Sequence, residues 1–135
     1  LYSWIGSEVI IASPKLGLAG MIDDWMFDEA TGEHILNDWK QNKKIKTGNP
    51  WESAIAPIGH LEACDWNKYC LQLNLYKFIF QSEEYCRHGH DVRLALTHIT
   101  ENFAQPIKVP DMQEEIQKMT ATISIPKQKK GRRQL

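Results

Sequence analysis

The segment of residues 20–40, GMIDDWMFDEATGEHILNDWK, constrains the fold more than any other part of the sequence. An apolar-rich run, Leu16–Phe27, is followed by the polar segment Asp28–Glu33, which contains a glycine. A second apolar-rich run begins at His34. Two such runs joined by a short polar turn are typical of a β-hairpin, so we predict a hairpin here.

The register of this hairpin determines which side chains meet. A symmetric turn pairs three sets of residues: Phe27 with His34, Trp25 with Leu36, and Asp23 with Asp38. Side chains two residues apart on a strand point to the same face, so Lys40 would share the face of Asp38. The hairpin therefore predicts two carboxylates and one amine on a single patch of sheet.

Two opposed carboxylates are unfavourable in a purely structural sheet, because like charges on directly opposed residues are destabilising. A divalent cation between Asp23 and Asp38 would remove this repulsion, and Mg²⁺ favours carboxylate oxygens. Two alternatives stay open: one aspartate faces solvent at the edge of the hairpin, or Lys40 pairs with both. A one-residue bulge would also change the assumed register.

The length and charge of the chain fit one globular domain with a basic end. We expect a single domain over residues 1–126 of the 135 residues and a disordered tail over residues 127–135. The tail carries five lysines and arginines, and the whole chain has a net charge of −1, so the remainder has −6. An acidic body does not favour nucleic acid by charge alone, although metal ions at the aspartates would offset part of this charge.

Other features concern the location of the protein. No apolar run is long enough to span a membrane and no signal peptide is visible, so we expect a soluble intracellular protein, cytoplasmic or nuclear. Cys64, Cys70 and Cys86 include no CxxC pair and are predicted to be free thiols. The chain begins without Met, and we expect it to be part of a larger protein.

Periodicity and turn residues predict the remaining elements. A strand at residues 4–12 precedes the hairpin, and a long loop follows it and ends near Cys64. Next come a helix at residues 66–81 with Asp65 as its N-cap, a strand at Val92–Ile99 and a short strand at Ile107–Val109. The last element is a helix that begins at the capping-box-like Asp111 and Glu114 and ends at about Thr120. This order predicts a mixed α/β sheet with helices on its faces.

Two groups of charged residues outside the hairpin are weaker candidates for the site. Glu8 could supply a third acid, although a charged residue at a strand edge is the interpretation that we prefer. Lys43, Lys44 and Lys46 in the long loop could contact phosphates or could form an ordinary solvated edge.

The predicted helix carries one further pair. Gln72 and Tyr76 are four residues apart and therefore lie on one helix face, where a hydrogen bond at the edge of the core is the simplest role. His88 and His90 lie in a predicted turn, Arg87–Asp91, and are expected to be solvated rather than metal ligands.

Three short motifs together resemble a known family. Gly20-Met-Ile-Asp23, Asp38-Trp-Lys40 and Gln72-Leu-Asn-Leu-Tyr76 are similar to the G-x-x-D, D-x-K and Q-x-x-x-Y motifs of the RecB-like branch of PD-(D/E)XK nucleases. The order and spacing of the motifs carry the resemblance, which covers roughly residues 4–109. It implies a mixed central β-sheet flanked by helices, with a restriction-endonuclease-like core.

The resemblance also implies roles for individual residues. Asp23 and Asp38 would bind Mg²⁺ or Mn²⁺ together with the backbone carbonyl of Trp39. Lys40 would hold the attacking water and offset the charge that develops on the phosphate. The glutamine and tyrosine of the third motif would line the site from the helix and support Lys40 or a phosphate.

The sequence departs from the family at three points. The first motif of the family is an acidic or histidine residue on a helix before the first strand, and it has no clear match here. It could lie upstream of residue 1, and Glu8 would be a poor substitute ligand. The cysteine quartet that binds an iron–sulfur cluster in some relatives is absent, so no cluster is expected. Gln41 follows Lys40 where many relatives have threonine or a small polar residue.

We therefore expect a divalent-metal-dependent nuclease that hydrolyses DNA phosphodiester bonds in single strands or at duplex ends. The resemblance favours an exonuclease or end-processing enzyme over a site-specific endonuclease. Three alternatives stay open: an RNA endonuclease on the same scaffold, an inactive nucleic-acid-binding module, and a structural domain of a larger enzyme.

Overall fold

The computed structural model describes residues 1–41, 64–86 and 90–123. These residues form, in chain order, the elements β1 (Tyr2–Ser13), β2 (Leu18–Asp28), β3 (Glu33–Lys40), α1 (Asp65–Ser82), β4 (Val92–Ile99), β5 (Ala104–Lys108) and α2 (Gln113–Ala121). Neither of these helices is long and apolar enough to cross a membrane. The predicted basic tail at residues 127–135 lies outside the described residues.

The predicted hairpin is present as the antiparallel pair β2–β3. Two of its expected pairs are confirmed: Phe27 lies opposite His34, and Trp25 lies opposite Leu36. Gly32 supports the turn with a φ of +74°, a backbone conformation that glycine adopts without strain. The ladder ends at the pair Asp24–Asn37, one step before Asp23 and Asp38.

The five strands follow one another across the sheet in the order β1-β2-β3-β4-β5. Neighbouring strands are antiparallel except for β3 and β4, which run parallel. Parallel neighbours need a crossover connection, and α1 lies in the segment that joins them. The predicted mixed α/β sheet is therefore confirmed.

Helix α1 packs against β1, β2, β3 and β4, and α2 packs against α1. The core lies between α1 and the sheet and is built from buried side chains of both: Leu73, Ile79 and Phe80 from the helix, with Ile11, Ile22, Leu36 and Leu96 from the strands. Full burial of each such side chain stabilises the fold by about 1.5–3 kcal/mol. The helix layer is confirmed on this face, whereas no helix among the described residues covers the opposite face.

Both helices begin differently from the prediction. Cys64, not Asp65, occupies the N-cap position of α1, and it makes no side-chain cap bond. Met112 is the N-cap of α2, and Asp111 instead accepts a hydrogen bond from the backbone N–H of Gln113 at 2.9 Å. The predicted capping box is therefore wrong, because the aspartate closes a local turn one residue before the helix.

The last strand also lies earlier than predicted, at Ala104–Lys108 rather than Ile107–Val109. The observed strand includes Pro106, although proline cannot donate a ladder hydrogen bond. In the described sheet β5 is an edge strand, where a proline is tolerated.

His34 is buried at the start of β3 and has a defined hydrogen-bonding pattern. Its Nδ1 accepts from Trp25 Nε1 at 3.0 Å, and its Nε2 lies 3.0 Å from Nδ1 of His90. An indole N–H can only donate, so neutral His34 carries its proton on Nε2 and donates it to His90. His90 is thus half-buried and paired with His34 rather than fully solvated, while His88 lies outside the described residues.

The packing of α1 onto β2 depends on a glycine. A Cβ atom at Gly20 would overlap the ring of Tyr76, which is only 8% exposed. The bare backbone of Gly20 therefore forms the surface on which the tyrosine ring lies. Through this contact, the glycine of the first motif meets the tyrosine of the third motif.

We expect Gly20→Ala to lower the free energy of unfolding by about 1–3 kcal/mol, because the added methyl group must displace a buried ring. Urea denaturation measures this loss. In a Tyr76→Ala background, Gly20→Ala should lower the free energy of unfolding by at least about 1 kcal/mol less than it does in wild type, because the clashing ring is gone. Strictly additive losses in this cycle would contradict the contact.

Candidate functional site

The side-chain alternation of β2 changes by one residue at Asp23. Gly20 and Ile22 face α1, and Trp25 also faces it through a ring contact with Phe80. Regular alternation places only residues an even number apart on one face. The odd spacing from Ile22 to Trp25 therefore marks an irregularity in β2, at the point where the ladder to β3 ends.

The Asp23 carboxylate takes the place of the missing ladder partner. Its Oδ2 accepts a hydrogen bond from the backbone N–H of Trp39 at 2.9 Å. The N–H and C=O groups of one strand residue leave the backbone on the same side, so the Trp39 carbonyl also points toward β2. That orientation is compatible with the role in metal binding expected for this carbonyl.

Asp38 and Lys40 lie beside Asp23. The carboxyl group of Asp23 lies near enough to Asp38 to raise its pKa, and Asp38 is only 6% exposed. Lys40 Nζ is 3.0 Å from Asp38 Oδ2 and 4.3 Å from the centre of the Tyr69 ring. The structure thus brings together the two carboxylates and the amine that the hairpin pattern predicts.

The charge of Asp38 is only partly compensated. Burial, and next the contact with Asp23, raise the pKa of Asp38 to about 6, although Lys40 lowers it. Its Oδ2 is buried and, among the described residues, has Lys40 Nζ as its partner at 3.0 Å. Pairing with Lys40 alone therefore leaves an excess of negative charge, and a hard cation with oxygen ligands would fit this position.

The third motif lies next to this cluster on α1. Gln72 Nε2 donates to the Tyr76 hydroxyl at 2.9 Å, which is the hydrogen bond expected for a pair four residues apart. Tyr69 is on the same helix face, three residues before Gln72, and its ring contacts Lys40. We did not single out Tyr69 from the sequence, although its spacing from Gln72 and Tyr76 would have indicated the shared face.

Other candidate residues stand apart from the cluster. Glu8 is exposed and has a φ of +53°, and although the β1–β2 register places it across from Asp23, no hydrogen bond joins its side chain to either aspartate among the described residues. Lys43, Lys44 and Lys46 lie outside the described residues. Within residues 1–41, 64–86 and 90–123, no group of three or more His, Cys, Asp and Glu side chains could hold a metal ion, so the described carboxylates amount to a pair.

The three cysteines are free thiols, as predicted. Cys64 and Cys70 are buried, and burial raises the pKa of Cys70 to about 12. A thiol with this pKa stays protonated near neutral pH and is a poor nucleophile or metal ligand.

The chain matches no family model, no curated protein and no solved structure. The resemblance to the RecB-like nucleases rests on the three motifs quoted above. The possible chemistry is therefore argued from Asp23, Asp38 and Lys40 themselves.

Asp38→Asn should stabilise the metal-free protein by about 1–2 kcal/mol near pH 7.5 and lose this advantage near pH 4. An unfolded aspartate has a pKa of about 3.9, so the raised pKa of Asp38 means that the folded state binds the proton more tightly. The contribution of Asp38 to stability consequently falls as the pH rises from about 4 to about 6. Asparagine carries no charge across this range.

Urea unfolding in EDTA at both pH values measures the difference between variant and wild type. The difference is needed because burial lowers the pKa of His34, which weakens the fold on acidification in both proteins. Asp111→Asn, which removes an exposed carboxylate outside the cluster, is the control for the loss of one negative charge. An Asp38→Asn variant less stable than wild type at pH 7.5 would contradict the assignment.

Proposed function

We propose that this protein is a divalent-metal-dependent nuclease that hydrolyses phosphodiester bonds in DNA, acting as an exonuclease or end-processing enzyme. One observation carries the proposal. Asp38 is buried with Lys40 Nζ 3.0 Å from its Oδ2, and burial and the nearby carboxyl group of Asp23 still raise its pKa. Two carboxylates this close need more positive charge than one lysine supplies, and a bound cation would provide it.

The donor set fits Mg²⁺ or Mn²⁺. Asp23 and Asp38 would hold the ion, with the Trp39 carbonyl as a third oxygen and waters or phosphate oxygens as the rest. When bound, such an ion lowers the pKa of a coordinated water and stabilises negative charge on a phosphoryl group. The prediction of no iron–sulfur cluster is part of the same proposal.

Lys40 would hold the attacking water and place a positive charge beside the phosphate. Its ammonium is fixed on two sides, by the Asp38 carboxylate and by the Tyr69 ring. A charge held in position before the reaction needs no reorganisation as negative charge develops on the phosphoryl oxygens. The side chain is only 21% exposed, so water screens this charge weakly.

The third motif would line the site from α1. The tyrosine ring is held against Gly20, three residues before Asp23, and its hydroxyl accepts the hydrogen bond from Gln72. The contact with Gly20 sets how closely α1 approaches the carboxylate-bearing hairpin, and the hydrogen bond orients the tyrosine hydroxyl. The two side chains would in this way support Lys40 or contact a phosphate.

The fold supports the same proposal at a coarser level. The hairpin bearing the carboxylates is followed by a helix and by a strand parallel to β3, in one mixed sheet. This arrangement is compatible with the restriction-endonuclease-like core that the motifs imply. Both strands of this hairpin also meet α1, since Gly20 of β2 contacts Tyr76 and Lys40 of β3 contacts Tyr69.

Cleavage of end-labelled single- and double-stranded DNA with Mg²⁺, Mn²⁺ or EDTA tests the proposal. We expect metal-dependent cleavage, and Lys40→Ala should reduce it by about 100-fold or more because the fixed charge is lost. Lys118→Ala is the matched control, since this exposed lysine pairs only with Glu114 on α2 in the described structure and should keep full activity. The product ladder distinguishes exonuclease from endonuclease action.

Calorimetry separates the remaining outcomes. Wild type should bind Mn²⁺, and Asp38→Asn should not. Metal binding without cleavage of DNA, but with cleavage of RNA, would favour the RNA endonuclease. A folded wild type that neither binds metal nor cleaves either polymer would overturn the proposal and favour an inactive module.

A further inference from the structure

Two exposed tryptophans share the sheet face opposite α1. Trp4 is 67% exposed and Trp39 is 44% exposed. Trp4 pairs with Met26, and Trp39 follows Asn37 by two residues on β3. Met26 and Asn37 both line one groove on this face, so the two indoles belong to the same surface.

One carboxylate orients both indoles. Trp4 Nε1 donates to Ser7 Oγ at 3.1 Å, and Ser7 Oγ donates to Asp24 Oδ1 at 2.8 Å. Trp39 Nε1 donates to the other oxygen of Asp24. The N–H is the only polar group of an indole, so both polar groups are satisfied within the protein and the exposed surface is the π-system.

Trp39 connects this surface to the proposed nuclease site. Its backbone N–H donates to Asp23, and its neighbours in the chain are Asp38 and Lys40. Its side chain nevertheless lies on the opposite face, next to the end of the β2–β3 ladder. Trp39 therefore links the aspartates, through its backbone, to the surface that carries the two indoles.

The groove beside the indoles has the character of a nucleotide-binding surface. It has a volume of about 420 Å³, with an apolar floor that includes Met26 and Ile35. Lys108 and Arg93 also line it, and the guanidinium of Arg93 pairs with Asp28 and Glu33. Apolar surface suits bases, and Lys108 offers a positive charge that suits a phosphate.

We propose that Trp4 and Trp39 form a base-stacking subsite for single-stranded nucleic acid. The identity of the ligand rests on the proposed nuclease function, whereas the geometry of the subsite does not. Only unpaired bases present free faces to a protein, and stacking on aromatic side chains accepts any base. The subsite therefore selects single strands over duplex without reading sequence.

Fluorescence anisotropy of a labelled oligothymidylate of about ten nucleotides, in EDTA to prevent cleavage, tests the subsite. Trp4→Ala and Trp39→Ala should each weaken binding by about fivefold or more, whereas binding of an abasic strand of equal length should not change. Ile10→Ala is the matched control, because Ile10 is a 73% exposed apolar residue on the same face of β1. It should bind like wild type.

The outcomes separate this proposal from the nuclease proposal. Equal affinities of Trp4→Ala and wild type for the thymidylate would overturn the subsite even if wild type cleaves DNA. Equal weakening by Ile10→Ala and Trp4→Ala would also overturn it, since that result indicates a general apolar surface. Weakening by the tryptophan variants alone would support the subsite even without cleavage in Mg²⁺, and a uridylate of equal length then distinguishes DNA from RNA as the ligand.

Discussion

The hydrogen bond from the Trp39 N–H to the Asp23 carboxylate is the contact on which the rest of the site depends. It replaces a backbone partner where the β2–β3 ladder ends, so a strand irregularity becomes a position for a charged side chain. The same bond holds Asp23 against Asp38 on the α1 side. It also leaves the Trp39 side chain on the opposite side of the sheet, where Asp24 orients it.

The electrostatics of the cluster follow from this geometry. Asp23, Asp38 and Lys40 together carry one more negative than positive charge, and the most buried oxygen belongs to Asp38. Burial alone would favour a protonated Asp38, while Lys40 favours the ionised form. A bound cation would favour the ionised form further, so the cluster suits a cation as well as an ion pair.

The hairpin could be predicted because its register follows from turn length and from alternation, both of which are visible in the sequence. The same register predicted that the two aspartates meet Lys40. The irregularity of β2 at Asp23 could not be predicted from it. Contacts between distant segments could not be predicted: Tyr69 reaches Lys40, and Tyr76 reaches Gly20, only because of how α1 crosses the sheet. The pairing of His34 with His90 depends in the same way on the position of β4.

The parallel pairing of β3 with β4 has a consequence for the order of folding. The β2–β3 hairpin closes a short loop, whereas β3 can meet β4 only after the long segment containing α1 has been brought back. Contacts that close long loops form late, since their entropic cost must be met first. The aspartates therefore come together in an open hairpin. Water is removed from Asp38 only when α1 docks. The repulsion between the two carboxylates consequently opposes the last step of assembly rather than the first.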